Sequence, residues 1–398
     1  MGDLDKKRIV LGVSGGIAAY KACEVARRLG DAGAAVDVVM TAAAQRFVTA
    51  VTFQALTGRM VHDDAWDARI ANNMPHIELT RGADALLIVP ASADFLAKLA
   101  HGLCDDLLST MAVARPRACP LLVVPAMNVE MWDHPATRRN VEQLRADGAG
   151  VLGPARGSQA CGESGEGRMI EPGEIVAEVI AAFQPKLMRG RHVLITAGPT
   201  FEPIDPVRGL TNLSSGKMGY AIARAAYEAG ARVTLVSGPT ALAAPYGVER
   251  RDVQTAAQML EQVLGAAAAA DVFIGVAAVA DWRVATPAAV KLKKEAGVAP
   301  PALQLALNPD ILAAVAALPE PPYCVGFAAE SERLIDYARA KRVAKKIPLI
   351  VANRVDEALG ADRSELVLID AEQAITLPQD GKLPQARRLI GEIARRLR

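Results

Sequence analysis

Short runs of Val, Ile and Leu alternate with helical patterns from one end of this chain to the other. Arg8–Ser14, Ala35–Thr41, Ala85–Ala91, Cys119–Ala126 and Gly150–Gly153 read as short buried strands, each an apolar run bounded by turn residues. Between them, Ala18–Leu29 and Thr137–Ala146 space their apolar positions as helices do. This alternation predicts a parallel sheet with helices on both faces. Ligands in such folds sit where strand C-termini meet helix N-termini. Val176–Phe183 reads as a closing helix, and Gln184–Gly190, with its proline, bases and glycine, reads as a linker. The pattern then restarts. His192–Ala197, Arg232–Ser237, Asp271–Ala278, Tyr323–Phe327 and Leu349–Asn353 are predicted strands, and Lys217–Ala229 a helix. Glu365–Asp370 and a turn at Gln379-Asp380-Gly381 suggest antiparallel additions. Ala266–Ala270 reads as a tightly packed helix end, and Pro384–Arg398 as a basic amphipathic helix with a solvated outer face. The expected fold class is α/β, with two Rossmann-like domains over residues 1–190 (linker included) and 191–398.

Bulk composition narrows the partners. The 398 residues are too many for one ordinary core, and 51% hydrophobic residues are enough to bury two. Aromatics at 4% and a net charge of +1 argue against base stacking and broad phosphate-backbone binding, so no nucleic-acid partner is expected. The five cysteines (Cys23, Cys104, Cys119, Cys161 and Cys324) are scattered, with no CxxC pair or metal-ligand spacing, which predicts reduced thiols. The charged N-terminus does not read as a signal peptide, and no apolar run is long enough to span a bilayer. A soluble cytoplasmic protein with no membrane partner is the expectation.

Candidate chemistry in the first half gathers at strand ends. Gly12–Lys21, with Ser14, Gly15 and Gly16, follows a strand and opens a helix, where backbone N–H groups can hold a phosphate. It lacks the GxGxxG spacing, so no dinucleotide is indicated. Pro90–Phe95 and Pro125–Trp132 end two further strands. Ser92 can hydrogen-bond a flat ring, the Asn128 amide can bind a carboxylate, and Met127 and Met131 can line an apolar floor. His76, in a Met-Pro-His-Ile-Glu-Leu segment, has a side chain suited to proton transfer near neutrality. In Gln159–Met169, three glycines surround the Cys161 thiol, two carboxylates and a guanidinium, with almost nothing apolar to pack. That composition predicts a mobile flap whose thiol can approach a reacting atom.

GVSGGIAAYK, MPHIEL, PASADF, PAMNVEMW and ACGESGEGRM, in this order over residues 8–170, resemble the flavin-dependent cysteine decarboxylases, specifically phosphopantothenoylcysteine decarboxylases. The resemblance implies a flavodoxin-like fold and FMN, with Ser14, Gly15, Gly16, Ile17, Thr41, Ser92, Ala93, Asp94, Ser109, Ala126 and Met127 binding it. It implies His76 as catalytic base, Asn128 as binder of the substrate carboxylate, and Cys161 as the acid on the flap. It also implies sites built between subunits of a trimer-based homo-oligomer, with a dodecamer among its forms.

In the second half, Thr196–Thr200 closes a strand and a long connection leads to Arg208 and Thr211–Gly219. The Gly216-Lys217 pair is not a P-loop, because Gly209 is too far away and Met218 stands where Ser or Thr would bind Mg2+. Ser and Gly at a helix start still favour an anion. Asp281 ends a strand, and Lys291–Lys294 is a cationic cluster. Asn308 suits an N-cap with Pro309 in the first turn, and Lys341 and Lys345 share a helix face.

GPTFEPIDPVRGLTNLSSGKMG, AAVADWR, KLKK, NPDI, GFAAE and KRVAKK, over nearly all of 191–372, resemble the phosphopantothenate–cysteine ligases of the bacterial CTP-dependent type. The resemblance implies a nucleotide site of Ala278, Asp281, Lys291, Asn308, Pro309, Asp310, Ile311, Phe327, Lys341 and Lys345. Lys291 is also implied in catalysis, and Arg208 and Asn212 hold phosphopantothenate and its activated carboxyl. CTP, 4′-phosphopantothenate and cysteine are the implied substrates, with Mg2+ accompanying the triphosphate, no metal ligand assigned, and dimeric ligase domains. The whole chain thus resembles the bifunctional enzymes of coenzyme A biosynthesis. A regulatory protein on a decarboxylase fold is disfavoured by the presence of His76, Asn128 and Cys161 together. A nicotinamide oxidoreductase is disfavoured by the missing GxGxxG.

Overall fold

The computed structural model describes residues 2–67, 74–160, 162–293, 301–330, 332–354 and 362–397. The chain divides into two compact units, Met1–Phe183 and Gln184–Arg398.

In the first unit, β1 (Arg8–Val13), β2 (Ala35–Met40), β3 (Val61–His62), β4 (Ala85–Ala91), β5 (Leu121–Pro125) and β6 (Gly150–Val151) form one parallel sheet in the order β3-β2-β1-β4-β5-β6. Leaving out the two-residue β3, this is the flavodoxin-like order, in which the first strand lies inside the second. Its strands are mostly apolar because a parallel sheet is covered on both faces; β4 is buried along its whole length, and β2 is interrupted by the buried Asp37, which is paired with Arg8 and Arg59. The helices are α1 (Ala19–Asp31), α2 (Ala50–Thr57), α3 (Pro75–Thr80), α4 (Ala93–His101), α5 (Leu107–Ala114), α6 (Val129–Asp133), α7 (Pro135–Ala146) and α8 (Pro172–Ala182). They pack in two groups, α1 with α2 and α8, and α5 with α3 and α4, the last also touching α7. α1 buries Ala22, Val25, Ala26 and Leu29, the three-and-four spacing of one helix face. A separate antiparallel hairpin, β7 (Ala155–Ser158) and β8 (Ser164–Arg168), precedes α8.

The second unit contains an eight-stranded sheet. Its strands are β9 (His192–Ala197), β12 (Arg232–Ser237), β13 (Glu249–Asp252), β14 (Val272–Gly275), β17 (Tyr323–Glu330), β18 (Leu349–Arg354), β19 (Arg363–Ile369) and β20 (Ala374–Gly381). The order is β13-β12-β9-β14-β17-β18-β19-β20, with the first six parallel and the last two antiparallel. Two small ribbons lie outside it, β10 (Phe201–Asp205) with β11 (Arg208–Thr211), and β15 (Trp282–Val284) with β16 (Leu305–Leu307). The helices are α9 (Lys217–Glu228), α10 (Ala256–Ala267), α11 (Ile311–Ala316), α12 (Leu334–Ala344) and a C-terminal helix, Lys382–Arg396.

Several sequence expectations change here. The long connection after β9 is a β-ribbon rather than a loop, its pairing carried by Phe201 opposite Thr211 and Glu202 opposite Leu210. Gln379-Asp380-Gly381 is the end of β20, paired with Arg363 and Ser364, and not a turn. The C-terminal helix is not only a solvated face. It buries Leu389, Ile390 and Ile393, packs on α9, and ties Arg387 to the buried Glu228 at 2.6 Å. The stretch expected as a linker packs on the second unit. Met188 is buried and donates its N–H to Ala229 O, and Lys186 Nζ donates to Glu228 O. Among the described residues, Cys23, Cys104, Cys119 and Cys324 are free thiols, and no helix is long and apolar enough to cross a membrane.

Candidate functional site

In the first sheet, strand order reverses between β1 and β4, which opens a crevice at their C-terminal ends. Ser14 sits in it, 1% exposed, and fastens the two strand ends together. Its Oγ donates to Pro90 O at 2.8 Å and accepts from Ser92 N at 3.0 Å. Ser92 in turn caps α4, its Oγ accepting from Phe95 N at 3.2 Å. Ala93 and Asp94 form the first turn of that helix. Parallel pairing brings Thr41, after β2, and Ala126, after β5, to the same edge. Thr41 N donates to Val13 O, and Ala126 N donates to Ala91 O. The N–H groups of Gly15, Gly16 and Ile17 have no acceptor among the described residues, and they lead into the thirteen-residue α1. A Cβ on Gly15 would stand 2.5 Å from Ala43 Cβ, so only glycine lets the loop lie this close to the β2 edge. This is a phosphate-sized nest at a helix N-terminus. Lys21 adds no charge to it, because its amine pairs with Glu171 at 3.0 Å. Ser109 is placed differently: its hydroxyl is buried within the capping box of α5, bonded to Asp106.

The segment expected as a flap is a docked hairpin on either side of Cys161, which lies outside the described residues. Gln159, at the loop end of the hairpin, ties it to α6, its Oε1 accepting from Val129 N and its Nε2 donating to Glu166 O, both at 3.0 Å. Glu166 accepts from buried Trp132 Nε1 at 3.0 Å, and Arg138 stacks over the Trp132 ring at 4.8 Å. Gly167 O accepts from Met127 N at 3.0 Å. Glycine is required at 167 because φ is +119° and a Cβ would lie 2.6 Å from Met127 O. Gly167→Ala is therefore expected to lift β8 from the Met127–Val129 segment. Hydrogen exchange at the Met127 amide should accelerate, and unchanged protection there would refute the docking. Asn128 is doubly engaged: its Oδ1 caps α6 through Met131 N at 3.0 Å, and its Nδ2 donates to Glu163 Oε2 at 3.0 Å. His76 is half-buried in α3, which packs on α5. No hydrogen bond among the described residues joins it to Asn128 or Ser92. The bridging roles of Gln159, Trp132, Arg138 and Glu166 escaped sequence reading; the only signal was two carboxylates and a Trp within short polar runs.

In the second sheet, strand order reverses between β9 and β14, and a cavity of about 900 Å³ opens at that point. It is lined by Ala278, Asp281, Asn308, Pro309, Asp310, Ile311, Phe327, Lys341, Lys345 and Asn212; of the expected nucleotide residues only Lys291 is missing. The loop after β14 is held open by four side chains. Thr196 Oγ1 accepts from Val276 N and Ala277 N, and Thr200 Oγ1 from Ala280 N. Asn212 Nδ2 donates to Ala278 O at 2.9 Å, and Asn308 Nδ2 to Ala280 O at 2.8 Å. Asn308 is thus not the N-cap. Asp310 caps α11 through Ala313 N at 3.0 Å, which frees Asn308 to fix the loop. Asp310 also pairs with Lys345. Burial works against its charge, but the bonds from Lys345 and Ala313 N–H outweigh it and hold the carboxyl below the usual range.

Arg208 and Lys291 stand apart from the cavity lining and next to each other. Asp205, its carboxylate fully enclosed, accepts from Val207 N, Arg208 N, Arg208 Nε and Leu292 N at 2.9 to 3.1 Å. Arg208 donates onward to Leu292 O at 2.6 Å. Both backbone groups of Leu292 are therefore clamped, and exposed Lys291 and Lys293 are displayed on either side. The bond from Arg208 holds the Asp205 carboxyl far below its ordinary range. Lys294 lies outside the described residues. Among the described residues, no three His, Cys, Asp or Glu side chains gather as a metal site.

Residues 1–184 match the family described as Flavoprotein, and residues 188–397 match the DNA/pantothenate metabolism flavoprotein C-terminal domain. The coenzyme A biosynthesis bifunctional protein CoaBC of Vibrio parahaemolyticus is 49% identical over 356 residues, covering 89% of each chain. That of Escherichia coli is 46% identical over 396 residues, 98% of this chain and 97% of its own. A crystal structure of the C-terminal domain of a CoaBC protein is 38% identical, covering 53% of this chain and 98% of that one, with a TM-score of 0.46. With matches of this strength along nearly its whole length, the chain belongs to the family of bifunctional coenzyme A biosynthesis proteins.

Proposed function

We propose that residues 1–190 carry a phosphopantothenoylcysteine decarboxylase and residues 191–398 a CTP-dependent phosphopantothenate–cysteine ligase, acting in the order ligase then decarboxylase. The reading is supported most by one observation: Ser14, Thr41, Ser92 and Ala126 meet at one strand-order reversal, and the expected nucleotide residues other than Lys291 line the cavity at the other.

In the ligase, the carboxylate of 4′-phosphopantothenate attacks the α-phosphorus of CTP, and pyrophosphate leaves. The cysteine nitrogen then bonds to the acyl carbon, the acyl–phosphate bond breaks, CMP leaves with the electron pair, and the amine proton passes to solvent. Asp281 and the Ala278 backbone meet the nucleotide, and Phe327 and Asn308 to Ile311 shape its pocket. Lys345 would exchange its Asp310 partner for the nucleotide, and Lys291 offsets charge on the transferred phosphate. Mg2+ would accompany the triphosphate and offset its charge, and the cavity-lining Asp281 is a carboxylate that would help to hold it.

In the decarboxylase, the Gly15–Ile17 nest fits the phosphate of FMN, and the small residues around Ser92 leave room for its ring. Bound FMN supplies the redox chemistry, oxidising the carbon that bears the thiol so that the departing carboxyl's electrons are accepted, and later returning a hydride. Asn128 Nδ2 leaves Glu163 to hold the substrate carboxylate, His76 takes a proton, and Cys161 supplies one to carbon. The family resemblance, which implies sites built between subunits, makes a homo-oligomer that brings His76 and Asn128 together part of this reading.

The test supplies phosphopantothenate, cysteine, Mg2+ and each nucleoside triphosphate in turn, with pyrophosphate and CO2 followed separately. A yellow protein that forms pyrophosphate with CTP, and CO2 from the preformed cysteine adduct without CTP, is expected. A colourless protein inactive in both arms would sink the proposal.

A further inference from the structure

One end of the second unit's cavity is lined by groups that the ligase reading does not use. Ser364, on β19, is 1% exposed and lines the cavity, yet its Oγ has no hydrogen-bond partner among the described residues. A buried hydroxyl left unpaired costs free energy and points to a partner that arrives from outside. Lys217 at the start of α9, Lys382 at the start of the C-terminal helix and Asn353 on β18 line the same cavity. Lys217 Nζ pairs with Asp362 at 2.7 Å, and Lys382 N donates to Asp362 O at 3.2 Å. Burial pushes the Lys382 amine below the usual lysine range, with Asp362 opposing that shift and Lys217 adding to it.

The combination is selective. Two ammonium groups, a hydroxyl and an amide line this end and offer donors to an anion, while the exposed Asp362 carboxylate lies outside the lining and reaches it through its pair with Lys217. A phosphate group would be drawn to the lysines but repelled by Asp362. An apolar ligand would leave the Ser364 hydroxyl as it stands, without a partner among the described residues. A molecule that carries a carboxylate and an amine on one carbon matches both signs at once. We propose that this end of the cavity binds a free α-amino acid, its carboxylate taken by Ser364 Oγ and Lys382 Nζ and its amine turned toward Asp362. The inference rests on the ligase reading, which requires such a co-substrate and leaves its site unassigned. In the free chain Lys217 and Asp362 pair with each other, and the arriving amine gives Asp362 a second partner.

The experiment compares Ser364→Ala and Lys382→Gln in the full chain. Pyrophosphate formed from CTP and phosphopantothenate without cysteine reports the first half-reaction, and the KM for cysteine reports the second. Each variant is expected to raise the cysteine KM about ten-fold, the loss of one hydrogen bond to a charged group. The pyrophosphate burst and the KM for CTP should stay unchanged, and Ser364→Thr, which keeps the hydroxyl, should retain more cysteine affinity than Ser364→Ala. A raised KM for CTP or phosphopantothenate with an unchanged KM for cysteine would make this a phosphate pocket and overturn the proposal. So would no change in any constant. If Lys382→Gln loses the burst, Ser364→Ala decides, since it removes only an unpaired hydroxyl. Failure of the unaltered chain to form pyrophosphate would instead refute the ligase reading itself.

Discussion

Asn128→Asp is expected to lower CO2 release from preformed 4′-phosphopantothenoylcysteine on the order of 10²-fold in kcat/KM, while pyrophosphate release keeps its rate. The substitution separates two jobs of one side chain. Asn128 caps α6 through Met131 N, and aspartate caps a helix as well as asparagine does, so α6 should survive. The other job is lost. Nδ2 donates to Glu163 today, and in the proposed reaction to the substrate carboxylate; a second carboxylate in its place repels both. A hydrogen bond to a charged group is worth about 1.5–3 kcal/mol, and the added like-charge repulsion carries the effect to roughly 10²-fold. Asn128→Ser is the companion, since serine also caps but does not repel, and it should fall between the two. Equal activity of Asn128→Asp and the unaltered chain would remove Asn128 from the carboxylate site.

What could be read from the sequence was what a continuous apolar run or a fixed motif announces. β1, β4, β9 and β12 are such runs, mostly apolar with a few buried polar positions such as Thr196 and Thr234, and each lies within a residue of its expected bounds because a strand buried on both faces is dominated by apolar residues. The residues around the second cavity were legible for a different reason: they lie in short motifs at strand ends, where a parallel sheet collects them. The hairpin β7–β8 was not legible. Its strands contain Gly157, Gly165 and Gly167 and no β-branched residue, so the composition reads as loop, and the pairing is held by partners far along the chain. The ribbons β10–β11 and β15–β16 were missed for a related cause, since each is only three to five residues long. At α11 two good caps, Asn308 and Asp310, compete within three residues, and only the tertiary bond from Asn308 to Ala280 O decides between them. The amphipathic pattern of the C-terminal helix was legible, but its packing partner α9 was not, because no local pattern names a distant element.

Lys291→Gln is expected to slow pyrophosphate release by about 10²–10³-fold, the usual cost of removing one group aimed at charge that develops in a transition state. CO2 release from the preformed adduct should be untouched, because Lys291 belongs to the second unit. Lys291 does not line the cavity, so its effect depends on how its segment is presented. The Asp205–Arg208 clamp on Leu292 supplies that presentation through the N–H and C=O of the neighbouring residue. Arg208 is therefore already engaged in the free chain, and holding phosphopantothenate would draw on whatever donors the clamp leaves. This gives Asp205→Asn a definite signature. Its Oδ1 can still accept from Val207 N and Arg208 N, but the amide on the other side turns a donor toward Leu292 N and the guanidinium. The kcat for pyrophosphate release should fall by less than in Lys291→Gln, with the KM for CTP little altered and Asp205→Glu partly restoring the rate. Combining Lys291→Gln with Asp205→Asn should then add little to Lys291→Gln alone, since both remove the same cation from the same place. If the two losses multiply instead, the clamp acts on something other than Lys291. If Lys291→Gln retains its pyrophosphate activity, the nucleotide site does not use this lysine at all.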